Sequence, residues 1–346
     1  MHGMVNQEKL RNGILLPEVN IGLVGHVDHG KTTLTERLSG KWTDTHSQEL
    51  KKGITIRLGY ADTTFYRYPD GKYGVKKDIS GAEPVRTISL VDAPGHESLM
   101  ATMLSGAAII DGAYLLIAAN EICPQPQTRE HLMALQICGI PQVVIVQNKI
   151  DLVTHEEAVE NYRQIRAFLK GTPYENAPVI PVSARADVNI GALIEATEQY
   201  VKTPFRESAK EPLFLVARSF DINKPGAKPQ NLIGGVLGGT IKQGKFTVGQ
   251  EVEILPGYMV EEKNKKVWKP LTTTITTIVV SNVPVEEATP GGSMALGTLL
   301  DPSIVKSDNF TGSLVGLPGK LPPLHYDITM KTNLLQRVVG TKEETE

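Results

Sequence analysis

Cysteine is nearly absent from this chain, which contains only Cys123 and Cys138 among 346 residues. Two cysteines exclude a disulfide-rich framework, and their apolar surroundings indicate reduced thiols in an intracellular α/β protein. An excess of charge of one sign is also lacking, because Lys and Arg number 36 while Asp and Glu number 38. The net charge of −2 gives no sign of general nucleic-acid binding, although recognition of an RNA end by shape would need no such excess.

Long hydrophobic runs are missing too. The most apolar stretch, 107–119, is interrupted by Asp111 and is too short to cross a bilayer. The start of the chain, residues 1–20, carries scattered charges and no apolar core of signal-peptide length. We therefore expect a cytoplasmic protein that has no association with membranes.

The sequence does contain a regular alternation of strand-like and helical patterns. Its length predicts two or more domains, since single cores rarely grow this large. Over residues 1–206, helical stretches separate the apolar runs Val19–Val24, Thr87–Val91, Ala113–Ala118, Gln142–Gln147 and Val179–Val182. This alternation predicts βαβ units around a mainly parallel sheet, which binds ligands at the carboxyl ends of its strands.

Beyond residue 206 the pattern changes to short β-type runs separated by Gly, Pro and Asn turn signals. The runs are Leu213–Phe220, Ile233–Ile241, Glu251–Leu255, Thr272–Val280 and Met294–Leu300. Because closure removes exposed strand edges, they predict an antiparallel β-barrel over residues 207–326. One more strand-like run, Tyr326–Val339, predicts the start of a truncated third domain in residues 327–346.

The strongest chemical signal lies in residues 25–32. They read GHVDHGKT and match the phosphate-binding pattern GxxxxGK(S/T), between a predicted strand and a predicted helix at Lys31–Leu38. A glycine-rich turn would be the plainer explanation, but strand, loop and helix coincide here. Backbone N–H groups, the Lys31 ammonium and the Thr32 hydroxyl would hold a polyphosphate and Mg²⁺. The expected contacts are Gly25, Val27, Asp28, His29, Gly30, Lys31, Thr32 and Thr33.

Two further motifs follow later predicted strands. In DAPG, at 92–95, the Asp92 carboxylate would reach a metal-bound water, and the Gly95 N–H would approach a γ-phosphate. In NKID, at 148–151, the Asp151 carboxylate would accept hydrogen bonds from guanine N1–H and the exocyclic amine, a pattern that adenine lacks. A backbone N–H of Ser-Ala, at 183–184, would face guanine O6. The other expected base contacts are Asn148, Lys149, Ser183, Ala184 and Arg185.

The ordered motifs GHVDHGKT, GITI, DAPGH, NKID and SA resemble those of the translational GTPases related to elongation factor Tu. Longer strings at 41–62, 118–135, 218–226 and 234–241 are most similar to the gamma-subunit family of archaeal and eukaryotic translation initiation factor two. This resemblance covers nearly the whole chain. It implies an α/β P-loop GTPase domain followed by an antiparallel β-barrel, with a third barrel of which this chain would hold only the start.

For the site, the resemblance implies that His96 positions the attacking water as a catalytic residue. Asp28 would either assist catalysis by holding a water or a second metal ion, or point to solvent. Without an evident arginine finger, hydrolysis of GTP to GDP and phosphate would be slow. The implied metal site, for Mg²⁺, comprises Asp28, Thr32, Gly53, Thr55 and Asp92.

The function implied is that of a GTP-binding switch subunit. Together with alpha and beta partner subunits, it would carry methionylated initiator tRNA to the small ribosomal subunit and release it after hydrolysis. A selenocysteine-specific elongation factor and a GTP-bound scaffold without hydrolysis are the alternatives. Members of the resembled family often carry a four-cysteine zinc knuckle, but residues 65–86 contain neither Cys nor His. Zinc is therefore not expected, and Asp70-Gly71 predicts a hairpin turn in that place.

Overall fold

The computed structural model describes residues 10–11, 14–43, 59–93, 109–224, 226, 228, 232–262 and 265–330. The described residues divide into two compact units, with the boundary between Pro204 and Phe205. Among them, no helix combines the length and the apolar composition that crossing a membrane requires.

The first unit is built on a seven-stranded sheet in the order β5-β4-β6-β3-β7-β8-β9. Strands β3, β6, β7, β8 and β9 run parallel, which confirms the mainly parallel sheet that the sequence predicts. A two-residue pair, β1 with β2, precedes it. The strands are β1 Leu10–Arg11, β2 Ile14–Leu15, β3 Val19–Gly25, β4 Gly59–Arg67, β5 Tyr73–Gly74, β6 Glu83–Asp92, β7 Gly112–Ala118, β8 Gln142–Asn148 and β9 Val179–Pro181.

Helices cover this sheet because its central strands are apolar on both faces. Every residue of β3 and β7 is buried, as expected of strands in a parallel sheet. Local signals set the helix ends: Gly40 terminates the first helix with a positive φ, and Thr154 with Glu157 forms a capping box on the third. The helices are α1 Lys31–Ser39, α2 Pro126–Ile137, α3 His155–Leu169 and α4 Ile190–Tyr200, with a 3₁₀ turn at Ile150–Leu152.

Strand β4 is an element that the sequence patterns did not single out. It pairs antiparallel with β6, from Gly59 opposite Asp92 to Arg67 opposite Glu83, so the sheet is mixed at this end. Alternate residues of β4 are buried, which is typical of a strand with one face on the core. The predicted hairpin turn that follows is confirmed, with Gly71 at a φ of +82° and its N–H donating to Tyr68 O at 2.9 Å.

The second unit is a closed antiparallel barrel, as predicted. Six strands form the ring β13-β18-β10-β11-β17-β14, which the pairing of β14 with β13 closes. Its interior is filled by buried side chains from facing strands, among them Phe214, Leu237, Ile254 and Val315. The strands are β10 Leu213–Phe220, β11 Val236–Gln243, β12 Phe246–Thr247, β13 Glu251–Glu262, β14 Lys265–Val280, β15 Val283–Val285, β16 Glu287–Ala288, β17 Met294–Thr298 and β18 Leu314–Gly316, with a short helix α5 at Pro302–Val305.

Two β-runs are longer than the sequence predicted, and one is absent from the described residues. Strands β13 and β14 continue pairing as far as Glu262 and Lys265, past a register shift between Ile254 and Tyr258. Residues 326–330 form no strand, so the prediction is wrong for this part of the run Tyr326–Val339. Its apolar side chains are about two-thirds exposed and lack the burial that would stabilise a strand. The remainder of that run lies outside the described residues.

Candidate nucleotide-binding site

The predicted motifs meet at one edge of the first unit's sheet. Parallel strands β3, β6, β8 and β9 end at Gly25, Asp92, Asn148 and Pro181, so the segments that follow them share this edge. This is where open α/β sheets bind ligands. Four predicted site residues, Gly53, Thr55, Gly95 and His96, lie outside the described residues.

The loop at 25–30 has, at two glycines, a backbone conformation that residues with a side chain rarely adopt. Gly25 and Gly30 have φ values of +141° and +91°. A Cβ at Gly25 would collide with Leu116 O, and one at Gly30 would collide with Asn148 Nδ2. Asp28 also has a positive φ, +62°, and its side chain is exposed at the crest of the loop. The two motif glycines are therefore required both by conformation and by space.

Lys31 lies folded across this loop. Its Nζ donates to Gly25 O at 2.9 Å and to His26 O at 2.8 Å, and its side chain is buried. Lys31 and Thr32 also begin helix α1, followed by Thr33, and the first N–H groups of a helix have no intrahelical acceptor. The loop thus presents backbone donors and a positively charged group at one place, which suits a polyphosphate.

Thr32 and Asp92 meet beside the loop. Thr32 Oγ1 donates to Asp92 Oδ2 at 2.8 Å, and Asp92 is fully buried at the end of β6. A hydroxyl that donates a hydrogen bond to a carboxylate keeps its oxygen lone pairs available to a cation. Oxygen donors of this kind are the ligands that Mg²⁺ prefers, so the described part of the donor set fits that ion.

Asn148 joins the phosphate loop to the base-recognition segments. Its Nδ2 donates to His29 O at 2.9 Å, and its Oδ1 accepts the Ala184 N–H at 3.1 Å. The N–H of Ala184 was predicted to belong to the segment that faces guanine O6, and in this structure it donates to Asn148 instead. Lys149, at a φ of +64°, then turns the chain so that Asp151 stands exposed in the 3₁₀ turn.

Arg37 in α1 is a site neighbour that the sequence patterns did not reveal. Its guanidinium donates to Ala184 O at 2.9 Å and to Arg185 O at 3.1 Å. Ser183 is buried and its Oγ accepts the Ala186 N–H, while the Arg185 side chain is exposed. The helix that begins at the phosphate loop therefore also holds the Ser-Ala loop in place.

Helix α2 supports the phosphate loop by accepting two of its backbone hydrogen bonds. The two residues that do so were not identified from the sequence. His131 Nδ1 accepts the Gly25 N–H at 2.6 Å, and Gln127 Oε1 accepts the Val27 N–H at 3.1 Å. Burial lowers the pKa of His131 to about 3, so the ring stays neutral and keeps its acceptor lone pair. The only sign in the sequence was a histidine on the buried face of a predicted helix. Such a histidine is by itself more typical of a packed core residue.

His29 contributes to the site through its backbone. Its ring is buried, with Nδ1 2.9 Å from Leu116 O and Nε2 3.3 Å from Glu121 Oε2, while its carbonyl accepts from Asn148. Burial lowers the pKa of His29, and likewise that of His26, whose ring packs edge-on at 5.3 Å. Both rings are therefore largely neutral near pH 7, and Lys31 supplies the positive charge of the loop.

His131 predicts a specific dependence of stability on pH. Unfolded His131 has its ordinary pKa of 6.5 and folded His131 one of about 3, so the unfolded chain takes up the proton first as the pH falls. The stability that neutral His131 contributes is fully present above pH 6.5 and is lost as the pH falls toward 3. Substitution His131→Asn keeps an acceptor but does not titrate.

The free energy of urea-induced unfolding should therefore fall more for the unchanged chain than for His131→Asn. Between pH 6.5 and pH 5.5 the expected difference is about 1 kcal/mol. Parallel curves for the two proteins would contradict the assignment of a neutral, buried imidazole.

Comparison with known proteins places this geometry in a family. Residues 17–203 match the family described as the elongation factor Tu GTP binding domain. Translation initiation factor 2 subunit gamma of Methanothermobacter thermautotrophicus is 56% identical over 337 residues, which cover 95% of this chain and 83% of that protein. The protein of the same description from Methanocaldococcus jannaschii is 58% identical over 332 residues, covering 94% of this chain and 81% of the relative.

A solved structure also shares the fold. The crystal structure of a bacterial selenocysteine-specific elongation factor superimposes with a TM-score of 0.68 at 26% identity. The match covers 88% of this chain and 45% of that one, so this chain spans less than half of that structure. The identity and coverage of the relatives, the matched domain and the barrel that follows it all agree. The chain therefore belongs to the family of translation initiation factor 2 gamma subunits, which are translational GTPases of the elongation factor Tu class.

Proposed function

We propose that this chain binds GTP and GDP with Mg²⁺, hydrolyses GTP slowly, and acts as the switch subunit of a translation initiation factor. The side chain of Asn148 carries the proposal, because it bonds both the phosphate loop at His29 and the base loop at Ala184. One buried amide thereby fixes the spacing between the segments that would bind phosphates and base. The match to the GTP-binding domain of elongation factor Tu supports the same proposal.

In this proposal the phosphates lie on the loop at 25–33. The N–H groups at the start of α1, the Gly95 N–H and the Lys31 ammonium would bind their oxygens. Bound Mg²⁺ would neutralise phosphate charge, with Thr32 as a direct ligand and Asp92 behind it. The remaining residues proposed for the metal are Asp28, Gly53 and Thr55.

The base would be recognised by residues that follow Asn148 in the chain. Asp151, exposed at the site, would accept two hydrogen bonds from guanine, and the stem of Lys149 would cover one face of the ring. Arg37 would support the Ser-Ala loop beside the base by donating hydrogen bonds to the carbonyls of Ala184 and Arg185. A carboxylate at this position favours guanine because adenine presents no pair of donors along the corresponding edge.

Hydrolysis requires little covalent chemistry from the protein itself. The requirement is to hold a water in line with the terminal phosphate and to stabilise the charge that develops on the phosphate oxygens. We assign the positioning of the attacking water to His96, with Asp28 as a second residue that would help to hold it. Unassisted GTPases of this type turn over on the order of 10⁻⁴ to 10⁻² per second, which is the rate proposed for the chain alone.

The cellular role we propose is delivery of methionylated initiator tRNA to the small ribosomal subunit, together with alpha and beta subunits. The names of the initiation factor relatives, at 56% and 58% identity, support this role. The selenocysteine-specific factor is 26% identical, which does not favour the alternative function. GTP hydrolysis would release the tRNA by relaxing two switch segments, one containing Thr55 and the other residues 92–95, that would be ordered around the γ-phosphate and Mg²⁺.

Exchange of the base-recognising carboxylate tests the nucleotide assignment. Xanthine carries a carbonyl where guanine carries its exocyclic amine, so Asp151→Asn should lose affinity for GDP and gain affinity for xanthosine diphosphate. We expect at least about a hundredfold loss for GDP, since two hydrogen bonds to a charged group are removed. Titration calorimetry with both nucleotides measures the change.

The matched control is Asp70→Asn, which alters an exposed aspartate of the β4–β5 hairpin and should leave both affinities unchanged. Equal GDP binding by Asp151→Asn and the unchanged chain would overturn the role of Asp151.

Filter binding tests the proposed carrier role. With the partner subunits present and a non-hydrolysable GTP analogue bound, aminoacylated initiator tRNA should be retained at least about tenfold more tightly than the bare tRNA. Replacing the analogue by GDP should weaken retention. Equal retention of charged and bare tRNA would count against delivery as the function.

A further inference from the structure

Thr43 lies outside the motifs that the sequence analysis identifies, yet it contacts one of their residues. It follows α1 by four residues, and its Oγ1 donates to Asp92 Oδ2 at 2.8 Å. The same carboxylate oxygen accepts the Thr32 hydroxyl, also at 2.8 Å. Two hydroxyls from different segments therefore meet on one oxygen of the buried carboxylate proposed to stand behind Mg²⁺.

The chain around Thr43 is fixed close to Asp92 by further contacts. Gly59, where β4 begins, is the partner of Asp92 in the antiparallel β4–β6 register. A Cβ at Gly59 would lie 2.6 Å from Thr43 Cβ, so these two residues are packed directly together. Lys41 Nζ donates to Tyr60 O at 2.9 Å on the same side. Thr43 and Gly59 therefore both lie beside Asp92.

A carboxylate oxygen that accepts two directed hydroxyl donors has its orientation determined by both. If the Thr43 hydroxyl is removed, Asp92 keeps its charge and its bond to Thr32 but loses one of the constraints on its rotamer. The position of the Thr32 hydroxyl, the proposed direct metal ligand, then becomes less well defined. Positioning errors of this kind weaken metal binding even when the ligand itself is intact.

We infer that Thr43 is a positioning residue of the Mg²⁺ site, which orients Asp92 and through it Thr32. This inference rests on the proposed function of the site as a GDP and GTP site with Mg²⁺. It assigns Thr43 a role in how strongly the metal retains the nucleotide, in addition to its packing against Gly59.

The test is the rate at which a fluorescent GDP analogue dissociates from Thr43→Val, a substitution that removes the hydroxyl and preserves the branched shape. With millimolar Mg²⁺ the analogue should leave about tenfold faster than from the unchanged chain, as expected for one hydrogen bond to a charged group. The Mg²⁺ concentration for half-maximal retention should rise by a similar factor. With the metal chelated by EDTA the two rates should agree within about twofold.

Two further variants separate this role from general packing. Thr43→Ser restores a hydroxyl and should return the Mg²⁺-dependent rate toward that of the unchanged chain. Thr64→Val removes a threonine hydroxyl of β4 that bonds Thr87 at 2.7 Å and makes no contact with Asp92, and it should leave the rates unchanged. Urea unfolding midpoints measured for all variants compare their stability.

The outcomes distinguish the inference from the proposed function. A Thr43→Val rate equal to that of the unchanged chain at every Mg²⁺ concentration would overturn the inference, as would equal acceleration with and without the metal. If the unchanged chain itself binds no GDP, or releases it without regard to Mg²⁺, the proposed function fails and the inference fails with it.

Discussion

The arrangement of the candidate site depends on the two hydrogen bonds of the Asn148 side chain. A single amide donates to the carbonyl of His29 and accepts the N–H of Ala184, and it does so in a buried position. Each of those backbone groups would lack this partner if Asn148 were shortened, at a cost of about 1 to 3 kcal/mol per buried group. The absence of a Cβ at Gly30 is what allows the amide to approach the loop so closely.

Around that amide, the backbone donors of the phosphate loop fall into two groups, those that bond supporting side chains and those at the start of a helix. The Gly25 and Val27 N–H groups are committed to His131 and Gln127 of helix α2, while the N–H groups at the start of α1 belong to the helix terminus. Burial keeps the neighbouring imidazoles largely neutral, so the loop is stabilised without added positive charge on its inner side. Its charge is concentrated on Lys31, where a polyphosphate would lie.

The sequence was informative where function constrains several residues at fixed spacing. The glycines at 25 and 30, Lys31, Asp92 and Asn148 could be placed because each motif combines residue type, spacing and a preceding strand, and the sheet then brings them together. The barrel could be predicted because turn signals recur between short β-runs. Strand β4 was not singled out, since its buried face consists of Ala61, Thr63 and Phe65 and so contains only one large apolar side chain.

The residues that support the site were much harder to predict. Arg37, Thr43, Gln127 and His131 reach it from elements separated along the chain, and each is an ordinary polar residue in its local sequence. Their importance comes from tertiary packing, through a single hydrogen bond or two to a loop backbone or to Asp92. Such contacts leave no period or motif, so only the folded arrangement reveals them.

The central claim is that this edge of the sheet is a guanine-nucleotide site whose base and phosphate segments are held as one unit. Equilibrium competition against a fluorescent GDP analogue, on the purified chain with Mg²⁺, tests it most directly. The account predicts that unlabelled GDP and GTP displace the analogue while ATP at about a thousandfold higher concentration does not, because adenine cannot donate two hydrogen bonds to Asp151. Displacement by ATP at concentrations similar to GDP would contradict it.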